Sequence, residues 1–412
     1  MKSVLDRGSQ ICRGCNSTQL SSVLDLGSHP LPSEYFTSKE IVANCFPLHL
    51  HICENCGLGQ IGEFVPPERI FHETYPYISS VSSTWVKHTK NYAEKTIIDL
   101  SLDSNSLVIE IASNDGGLLT EFKKYGIKVL GIEPAKNVAT LSQQKDIPTI
   151  IDFFGEKLAK DIVEKFGYPR LIIANNVFAH VPDMQDFTKG LAMLSNKETV
   201  ITIENPSFLN LLQNALFDTI YHEHYSYLSA HAVSAIAQKF DLSLIKIEKL
   251  STHGGSNRYW LMRDKDSSLS IQGELEFELS NGLFNSATWS SFANRSNASI
   301  IELRNWLIEK KNNGEIVVGF GAAHKGNSFL NAVGEESKYI DFVVDGSTEK
   351  QGKYLPGTQI PVYSPETLKV ARPANILILP WNIKEELSIS AKSLSPDSKI
   401  WVAQPYLHQV KI

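Results

Sequence analysis

Four of the five cysteines in this chain form two Cys-x-x-Cys pairs near its N-terminus, a spacing that strongly restricts the local fold. The pairs are Cys12 with Cys15, and Cys53 with Cys56. Two ligands on each of two tight turns can converge on one ion, and four thiolates close the tetrahedral shell of Zn²⁺ without an open position. The spacing therefore predicts a structural zinc site in a small N-terminal module, and the chemistry is expected further along the chain.

Other uses of the cysteines fit the sequence less well. A disulfide framework needs an oxidising compartment, but Met1–Leu20 has neither an apolar core nor a cleavage site for export, so we expect a cytoplasmic protein. A thioredoxin-type redox site would need a βαβ context, which the sequence around the pairs lacks. Cys45 is expected to be a small buried thiol. His49 and His51 lie close enough to act as ligands, but the thiolates already fill the shell.

Length and charge limit the classes of function. A chain of 412 residues is too long for one core and implies two or three domains. The formal net charge of −6, without runs of Lys or Arg, argues against nucleic acid as a partner. No stretch approaches the ~20 consecutive apolar residues of a membrane span, so no membrane partner is expected. A monomer is expected, and composition leaves an oligomer open.

From residue 107 onward, short apolar strands alternate with helical stretches, which is typical of parallel α/β sheets covered by helices on both faces. The predicted strands of two successive units are Leu107–Ala112, Lys128–Glu133, Leu171–Val177 and Val200–Glu204, then Ile316–Phe320, Tyr339–Val344, Ile376–Leu379 and Lys399–Val402. A helix over Trp85–Leu100 covers the first unit, and a helical stretch at 266–312 connects the two. The predicted fold class is α/β, with two Rossmann-like domains behind a zinc module.

The first unit opens with Val108-Ile-Glu-Ile-Ala-Ser-Asn-Asp-Gly-Gly, a strand that enters a tight turn and a helix. Glu133, at the end of the second strand, can bind both ribose hydroxyls of an adenosine. Ala112 replaces the first glycine of the dinucleotide fingerprint, so S-adenosylmethionine fits better than NAD; an ordinary turn of a structural Rossmann domain is the alternative. The predicted cofactor residues lie on these strand ends and in the following loops: Glu110, Ala112, Asn114, Gly116, Glu133, Pro134, Phe153, Phe154, Asn175 and Asn176.

The segment Tyr221-His-Glu-His-Tyr-Ser-Tyr concentrates titratable and hydroxyl groups. An extended chain would place Tyr221, Glu223 and Tyr225 on one face and both histidines on the other, whereas a turn would let several side chains converge. A histidine beside a carboxylate is a good general base, because the carboxylate raises the basicity of the imidazole and fixes its tautomer. A polar loop and a second metal site are the alternatives.

Three further motifs lie at or near strand ends. His180 follows the strand ending in Asn-Asn, in the crevice where open α/β sheets bind ligands. In Thr252-His-Gly-Gly-Ser-Asn-Arg, the Gly-Gly amides and Arg258 could bind an anion, although an ordinary hairpin turn is equally compatible. Lys325 stands at a helix N-terminus that suits a phosphate. The alternative there is a vestigial dinucleotide fold, with Asp345 as ribose ligand or as a structural residue.

Taken in order, these motifs resemble those of the nucleotide-sugar C-methyltransferases that make branched deoxysugars, over nearly the whole chain. The resemblance implies a class I S-adenosylmethionine-dependent methyltransferase fold between a zinc module and a C-terminal Rossmann-like domain. The implied divisions are 1–75 for the zinc module, 76–265 for the methyltransferase domain, 266–312 for a helical connector and 313–412 for the C-terminal domain. The implied substrate is a dTDP-linked 4-keto-6-deoxy sugar, methylated at C3 or sometimes at C5.

The resemblance also implies roles for individual residues. His224 would be the base, with Tyr221 and Glu223 lining the sugar site and with Tyr77 and His180 facing the sugar. The implied substrate-binding residues, the first of which stands where some relatives carry Asp, are His222, His253, Arg258, Lys325 and Asn327.

The chemistry of such a reaction agrees with these residue types. A carbon beside a ketone becomes a nucleophile only after it loses a proton, so the site needs a base, donors for the enolate oxygen and a methyl group held in line. His224, oriented by Glu223, would take the proton, and Tyr77, Tyr221 or His180 would donate to the oxygen. Two other classes stay open: an O- or N-methyltransferase with the same cofactor pocket, and a non-enzymatic or NAD-binding protein with two Rossmann units.

Overall fold

The computed structural model describes residues 11–62, 65–72, 75–265 and 269–411. The expectation about an export signal in Met1–Leu20 therefore falls largely outside the described residues. The N-terminal elements are β1 Leu20–Pro30, β2 Cys45–Cys53, β3 Gly59–Gln60, α1 Pro67–Ile70 and α2 Ser83–Asp99. Within the described ranges, no helix is both long and apolar enough to cross a membrane.

A central unit follows, in which strands and helices alternate. Its elements are β4 Leu107–Ile111, α3 Gly117–Lys123, β5 Lys128–Ile132, α4 Lys136–Gln144, β6 Thr149–Ile150, α5 Glu156–Phe166, β7 Leu171–Asn175, α6 Met184–Met193, β8 Val200–Pro206, α7 Phe208–Asn214, β9 Ser226–Tyr227, α8 Ala230–Gln238, β10 Leu242–Leu250 and β11 Ser256–Arg263. The sheet order is β10-β11-β8-β7-β4-β5-β6, with β11 antiparallel to both neighbours. The carboxyl ends of β4, β5 and β7 therefore meet at one edge.

Burial on both faces explains why the central strands read as continuous apolar runs. One face packs against Tyr92 of α2 and Phe122 of α3. The other face packs against Phe178, Phe187 and Leu191. Helices therefore cover the sheet on both sides, as the alternation along the sequence predicts.

The connector and a second α/β unit complete the chain. Their elements are α9 Leu269–Ser280, α10 Ser286–Asn312, β12 Val317–Phe320, α11 His324–Val333, β13 Val343–Val344, β14 Val362–Tyr363, α12 Thr367–Ala371, β15 Asn375–Ile378, α13 Lys384–Leu394, β16 Lys399–Val402 and β17 His408–Gln409. The order of this C-terminal sheet is β14-β13-β12-β15-β16-β17, with β17 antiparallel to β16. Both predicted Rossmann-like units are present, and the α/β fold class is confirmed.

The N-terminal sheet takes one strand from the central unit. Its order is β1-β2-β3-β9, with Gly59 opposite Tyr227 and Gln60 opposite Ser226. Since β9 ends the titratable segment 221–227, backbone hydrogen bonds join the cysteine-bearing module to that segment.

Two details differ from the expectations. Cys45 is exposed rather than buried, because it begins β2 beyond the reach of the two-residue β3. The antiparallel strands β10 and β11 carry interspersed charged residues, and the loop 252–255 connects them as a hairpin. The ordinary hairpin interpretation of the Gly-Gly turn fits this geometry, and anion binding by its amides stays a prediction.

Candidate active site

The four predicted zinc ligands come together in the structure. The Sγ atoms of Cys12 and Cys56 are 3.5 Å apart, as are those of Cys15 and Cys53, and all four lie within 4.8 Å of one another. Zn–S bonds of ~2.3 Å in a tetrahedron place sulfur atoms roughly 3.8 Å apart, so the cage fits Zn²⁺. Four thiolates would leave no open position, which makes the site structural. His49 is engaged elsewhere, with its Nε2 2.8 Å from Ser22 Oγ.

Arg13 fastens the first zinc-binding turn to the titratable segment. Its Nη1 donates to the carbonyl of Tyr225 at 2.7 Å, and its Nη2 donates to the carbonyl of Ile61 at 2.6 Å. Its backbone amide donates to Gln60 Oε1 at 3.0 Å. The buried guanidinium thus links the zinc site to both β3 and the segment that leads into β9.

The turn after β4 has a strained backbone. Ala112, Asn114 and Gly116 have φ angles of 56°, 49° and 72°. A left-handed conformation costs a residue with a Cβ ~1 kcal/mol or more, and such strain concentrates at ligand-binding sites. Ala112 therefore keeps the conformation of the glycine that it replaces, which favours a ligand-binding turn over an ordinary one.

Buried carboxyl groups lie beside this turn. Glu133 accepts from the amides of Asn114 and Ala135, both at 2.9 Å, and so holds the loop through Pro134. Burial raises the pKa of Glu133 to about 7. Burial also raises the pKa of Glu110 well above its ordinary value, and its Oε2 has no hydrogen-bond partner among the described residues. Each carboxyl group keeps lone pairs for a ligand, and their cofactor role stays a prediction.

The other predicted cofactor residues differ in their surroundings. The side-chain amide of Asn175 is buried at the end of β7 and lacks a partner within the described part of the chain. Asn176 has a φ of 51°, and its amide donates to Glu204 O at 2.7 Å. Phe153 is 39% exposed, whereas Phe154 packs against the ring of Phe187 at 5.2 Å. Phe154 is therefore partly buried against the core, whereas the ring of Phe153 is exposed, and the cofactor role of both stays a prediction.

The segment after residue 75 covers the turn that follows β4. The amide of Ser79 donates to Asn114 Oδ1 at 2.9 Å, and Asn114 Nδ2 donates to the carbonyl of Tyr77 at 3.1 Å. The hydroxyls of Ser79 and Ser80 donate to the carboxylate of Asp115. This Tyr-Ile-Ser-Ser stretch is thus anchored directly to the predicted cofactor site.

Residues 221–225, called here the catalytic turn because the predicted base lies in it, adopt the turn conformation rather than the extended one. The amide of His224 donates to Tyr221 O at 2.9 Å, and Tyr221 Oη lies 2.9 Å from His224 Nε2. His224 Nδ1 is 2.8 Å from the carbonyl of Thr219. A carbonyl can only accept, so Nδ1 carries the proton and Nε2 presents a lone pair. Burial lowers the pKa of His224 well below its ordinary value, so the ring is neutral.

His180 lies in the same cluster, with its ring centroid 4.7 Å from that of His224. Its Nδ1 donates to the carbonyl of Glu223 at 2.6 Å. Burial lowers the pKa of His180, so its neutral ring also presents Nε2 as an acceptor. The expectation that His180 donates to a ketone oxygen therefore does not fit this tautomer, and the tyrosines are left as donors.

Glu223 does not orient His224, contrary to expectation. Its Oε2 lies 3.3 Å from Nδ1 of His324, the first residue of α11, and the residue is 1% exposed. Burial by itself would raise the pKa of Glu223, but His324, Ser33 and His180 together lower it to about 2. The orienting role belongs instead to the carbonyl of Thr219, and Glu223 reaches across to the C-terminal unit.

Tyr75, rather than Tyr77, faces this cluster. Tyr77 is 47% exposed. Burial raises the pKa of Tyr75 well above its ordinary value, and the nearby charge of Glu223 raises it further. The ring of Tyr75 lies 5.3 Å from that of Phe71, which is 5.8 Å from His180. A Tyr-Pro-Tyr sequence carries no signal for which ring turns inward, so the sequence alone could not identify Tyr75.

His222 lies away from the proposed substrate site. Its Nε2 is 3.1 Å from the carbonyl of Phe46 and 3.2 Å from that of Pro47, both on β2. The turn conformation separates neighbouring side chains, so His222 packs against the zinc module while His224 faces the cluster. Its predicted substrate-binding role is therefore corrected to a contact between the two units.

Arg258 is likewise occupied within the protein. Its Nη2 lies 2.6 Å from Glu204 and its Nη1 lies 3.3 Å from Glu248, so two buried ion pairs engage the guanidinium that was expected to bind an anion. His253, in the adjoining hairpin, lies 5.7 Å from the ring of Trp85, and burial lowers its pKa to about 4. A neutral His253 remains available to a substrate, whereas Arg258 does not.

Lys325 lies where the C-terminal unit meets the central unit. Its Nζ donates to Asn382 Oδ1 at 3.0 Å and lies 5.2 Å from the ring centroid of Trp381. Trp381 Nε1 donates to Asp218 Oδ2 of the central unit at 2.7 Å. Burial lowers the pKa of Lys325, whereas the charge of Asp218 raises it. Asn327, two residues further along α11, is 1% exposed.

Asp345 makes contacts that fit the structural alternative, and its role as a ribose ligand stays a prediction. Its carboxylate accepts from the amides of Ala322 and Ser347 at 2.7 and 2.8 Å and lies 3.4 Å from Lys350. These contacts leave it holding the loop after β12, just as Glu133 holds the loop after β4.

Comparisons with known proteins agree with this arrangement of domains. Residues 12–71 match a family described as a putative zinc binding domain, residues 85–247 a methyltransferase domain, and residues 251–404 a C-methyltransferase C-terminal domain. The chain is 29% identical over 384 residues to the C-methyltransferase NovU of Streptomyces niveus, an alignment that covers 91% of this chain and 90% of NovU.

Two solved methyltransferase structures each align with less than half of the chain. The magnesium protoporphyrin IX methyltransferase of Synechocystis PCC 6803, solved with bound SAH, is 15% identical and aligns with 43% of this chain and 83% of its own, with a TM-score of 0.35. An S-adenosylmethionine-dependent methyltransferase of Clostridium acetobutylicum is 8% identical and aligns with 44% of this chain and 92% of its own, with a TM-score of 0.36.

The assignment rests on the three domain matches and on NovU. The domain matches follow one another in order, and the cysteine cage lies within the first of them. The chain is therefore an S-adenosylmethionine-dependent methyltransferase that is similar over most of its length to a C-methyltransferase, with a match to a zinc-binding domain before the methyltransferase domain and a match to a C-methyltransferase C-terminal domain after it.

Proposed function

We propose that the chain methylates a carbon of a nucleotide-linked 4-keto-6-deoxy sugar, with C3 as the acceptor carbon. The observation that carries the proposal is the tautomer of His224, whose Nδ1–H donates to the carbonyl of Thr219 and whose Nε2 therefore keeps a lone pair, which accepts from Tyr221 Oη in the free protein. A carbon beside a ketone needs such a base before it can attack a methyl group. A hydroxyl or amine acceptor already has a lone pair for the attack.

In the proposed reaction, His224 Nε2 takes the proton from C3, and the C–H electron pair becomes the double bond of an enolate. Tyr221, which donates to Nε2 in the free protein, can then donate to the C4 oxygen as negative charge develops there. Tyr75 is placed to be a second donor. Bound S-adenosylmethionine would supply the electrophilic methyl group. General-base catalysis of this kind contributes ~10²–10⁴-fold.

The C-terminal unit offers groups that suit the nucleotide part of such a substrate. The Lys325 ammonium, at the first turn of α11, lies beside Trp381 of the same unit and near His253 of the central unit. Asn327 Nδ2 is buried and has no partner in the part of the chain that the structure describes. A cation, a helix N-terminus and an amide donor are suited to a diphosphate.

The variant His224→Asn tests the base. An Asn side chain retains a donor near the Nδ1 position but has no equivalent of Nε2, so the contact with Thr219 can survive while the base is lost. We expect loss of solvent exchange at C3 and of methyl transfer, by ~10²-fold or more, with unchanged affinity for S-adenosylmethionine. Deuterium exchange of a nucleotide 4-ketosugar, followed by mass spectrometry with and without the cofactor, measures both steps.

His408→Asn is the matched control, because His408 Nδ1 also lies 2.9 Å from a carbonyl, that of Tyr406, on the far side of the C-terminal sheet. It should behave as wild type. Normal exchange rates in His224→Asn would remove the base role from His224. Methyl transfer from the wild-type protein to oxygen or nitrogen, without exchange at carbon, would contradict the proposed substrate and acceptor carbon.

A further inference from the structure

We propose that His324 of the C-terminal unit is a positioning residue of the active site, which holds the Glu223 carboxylate and thereby the catalytic turn. This inference rests on the proposed role of that turn in proton abstraction. It adds a side chain from a different unit of the chain, one that no sequence motif pointed to.

The contact is direct and shielded from water. His324 Nδ1 lies 3.3 Å from Glu223 Oε2, and the side chains are only 16% and 1% exposed. The ring of His324 also stands nearly perpendicular to that of Tyr221, at 82° and with centroids 6.1 Å apart. His324 therefore contacts Glu223 of the catalytic turn and faces the ring of Tyr221.

The loop that presents His324 is itself held firmly. The amide of Ala322 donates to Asp345 at 2.7 Å. The carbonyl of Ala322 accepts from Tyr35 Oη at 2.6 Å and from Lys350 Nζ at 2.8 Å. Tyr35 belongs to the zinc module, whereas Asp345 and Lys350 belong to the C-terminal unit. Groups from two units therefore fix the position of His324, which contacts Glu223 of the central unit.

The pair can transmit this position to the histidines of the site. The backbone carbonyl of Glu223 accepts from His180 Nδ1 at 2.6 Å, and the amide of the next residue, His224, closes the turn onto Tyr221. A buried carboxylate that loses its partner is costly, so the turn would rearrange to rehydrate it. Fixing the Glu223 side chain thus fixes the backbone between the two imidazoles.

Two substitutions with different donors test this role. Asn at position 324 can place its amide nitrogen near the position of Nδ1, whereas Ala provides no donor. We expect His324→Ala to lower kcat about 10- to 100-fold, the range for a charge-assisted hydrogen bond, with the affinity for S-adenosylmethionine unchanged. His324→Asn should recover at least about tenfold of that loss. Equal impairment of both variants, or wild-type kcat in His324→Ala, would overturn the proposal.

If His324→Ala fails to fold, His324→Gln replaces it, because the Gln amide reaches the position of Nε2 rather than that of Nδ1. We then expect kcat of His324→Gln to be about tenfold lower than kcat of His324→Asn. Equal rates for Asn and Gln would then reject the role.

A second readout does not depend on activity. The ¹⁵N spectra of histidine-labelled protein report whether His180 keeps its Nδ1–H tautomer. We expect that tautomer to be lost or mixed in His324→Ala and retained in His324→Asn. The two proposals fail separately. Normal proton exchange in His224→Asn would reject the base assignment, whereas an unchanged His180 tautomer in His324→Ala would reject only the positioning role of His324.

Discussion

Glu133 illustrates how one carboxyl group can serve both the backbone and a ligand. It accepts from two loop amides, and it occupies the strand end where an acidic residue binds the ribose of an adenosine. Burial raises its pKa to about 7 in the free protein. A carboxylate accepts hydrogen bonds from hydroxyl groups more strongly than a carboxylic acid does, so ribose binding should favour the ionised form.

The affinity for S-adenosylmethionine should therefore depend on pH. The ionised form prevails above the pKa of about 7 and is lost below it, so the affinity should rise about tenfold from pH 6 to pH 8. Glu133→Gln should bind more weakly and without this dependence. Calorimetric titration at the two pH values measures both effects, and equal wild-type affinities at pH 6 and pH 8 would exclude Glu133 as the titrating ligand.

At the scale of elements, the strands β3 and β9 connect the zinc module to the central unit, although each has only two residues. Among the described residues, their pairing is where the sheet of the zinc module takes up a strand of the central unit. Arg13 reinforces this pairing with two hydrogen bonds to the carbonyls of Tyr225 and Ile61. An arginine between two zinc ligands thus acts on the segment that carries the proposed base.

Arg13→Met should lower kcat while leaving the metal bound. Each of the two lost charge-assisted hydrogen bonds contributes about 1.5–3 kcal/mol, so we expect the free energy of unfolding to fall by roughly 3–6 kcal/mol and kcat to fall about tenfold. The zinc content should stay at one ion per chain, and the affinity for S-adenosylmethionine should not change. Metal analysis, denaturant unfolding and steady-state kinetics measure these quantities, and an unchanged kcat would show that the turn needs no support from Arg13.

Local patterns predicted the elements well because their causes are local. The run Leu107-Val-Ile-Glu-Ile is apolar because both faces of β4 are covered, and the Cys-x-x-Cys spacing brings two thiolates to one ion without help from the rest of the fold. The contacts that depend on docking were not predictable in the same way. No feature of the sequence indicates that Arg258 forms an ion pair with Glu204. His324 contacts Glu223 only because the C-terminal and central units pack together.

At the scale of the whole molecule, three units converge on the catalytic turn. The zinc module reaches it through β3 and Arg13, and the C-terminal unit reaches it through His324. The cofactor turn after β4 is held mainly by contacts within 75–135, with Asn114 bonded to Ser79 and Glu133. Support for the proposed base and support for the cofactor therefore come from different parts of the protein.

Removal of zinc should separate these two functions. Without the ion, the four cysteines are no longer held together. The β3–β9 pairing and the Arg13 contacts should then loosen with the module. We expect chelated protein to show faster hydrogen exchange at the amides of 221–227, together with loss of substrate binding and methyl transfer. The affinity for S-adenosylmethionine should fall much less, because the turn after β4 does not depend on the cysteine cage. Restored activity on adding Zn²⁺ back is the control for irreversible unfolding. Depleted protein with wild-type exchange at 221–227 and wild-type activity would show instead that the zinc module does not support the catalytic turn.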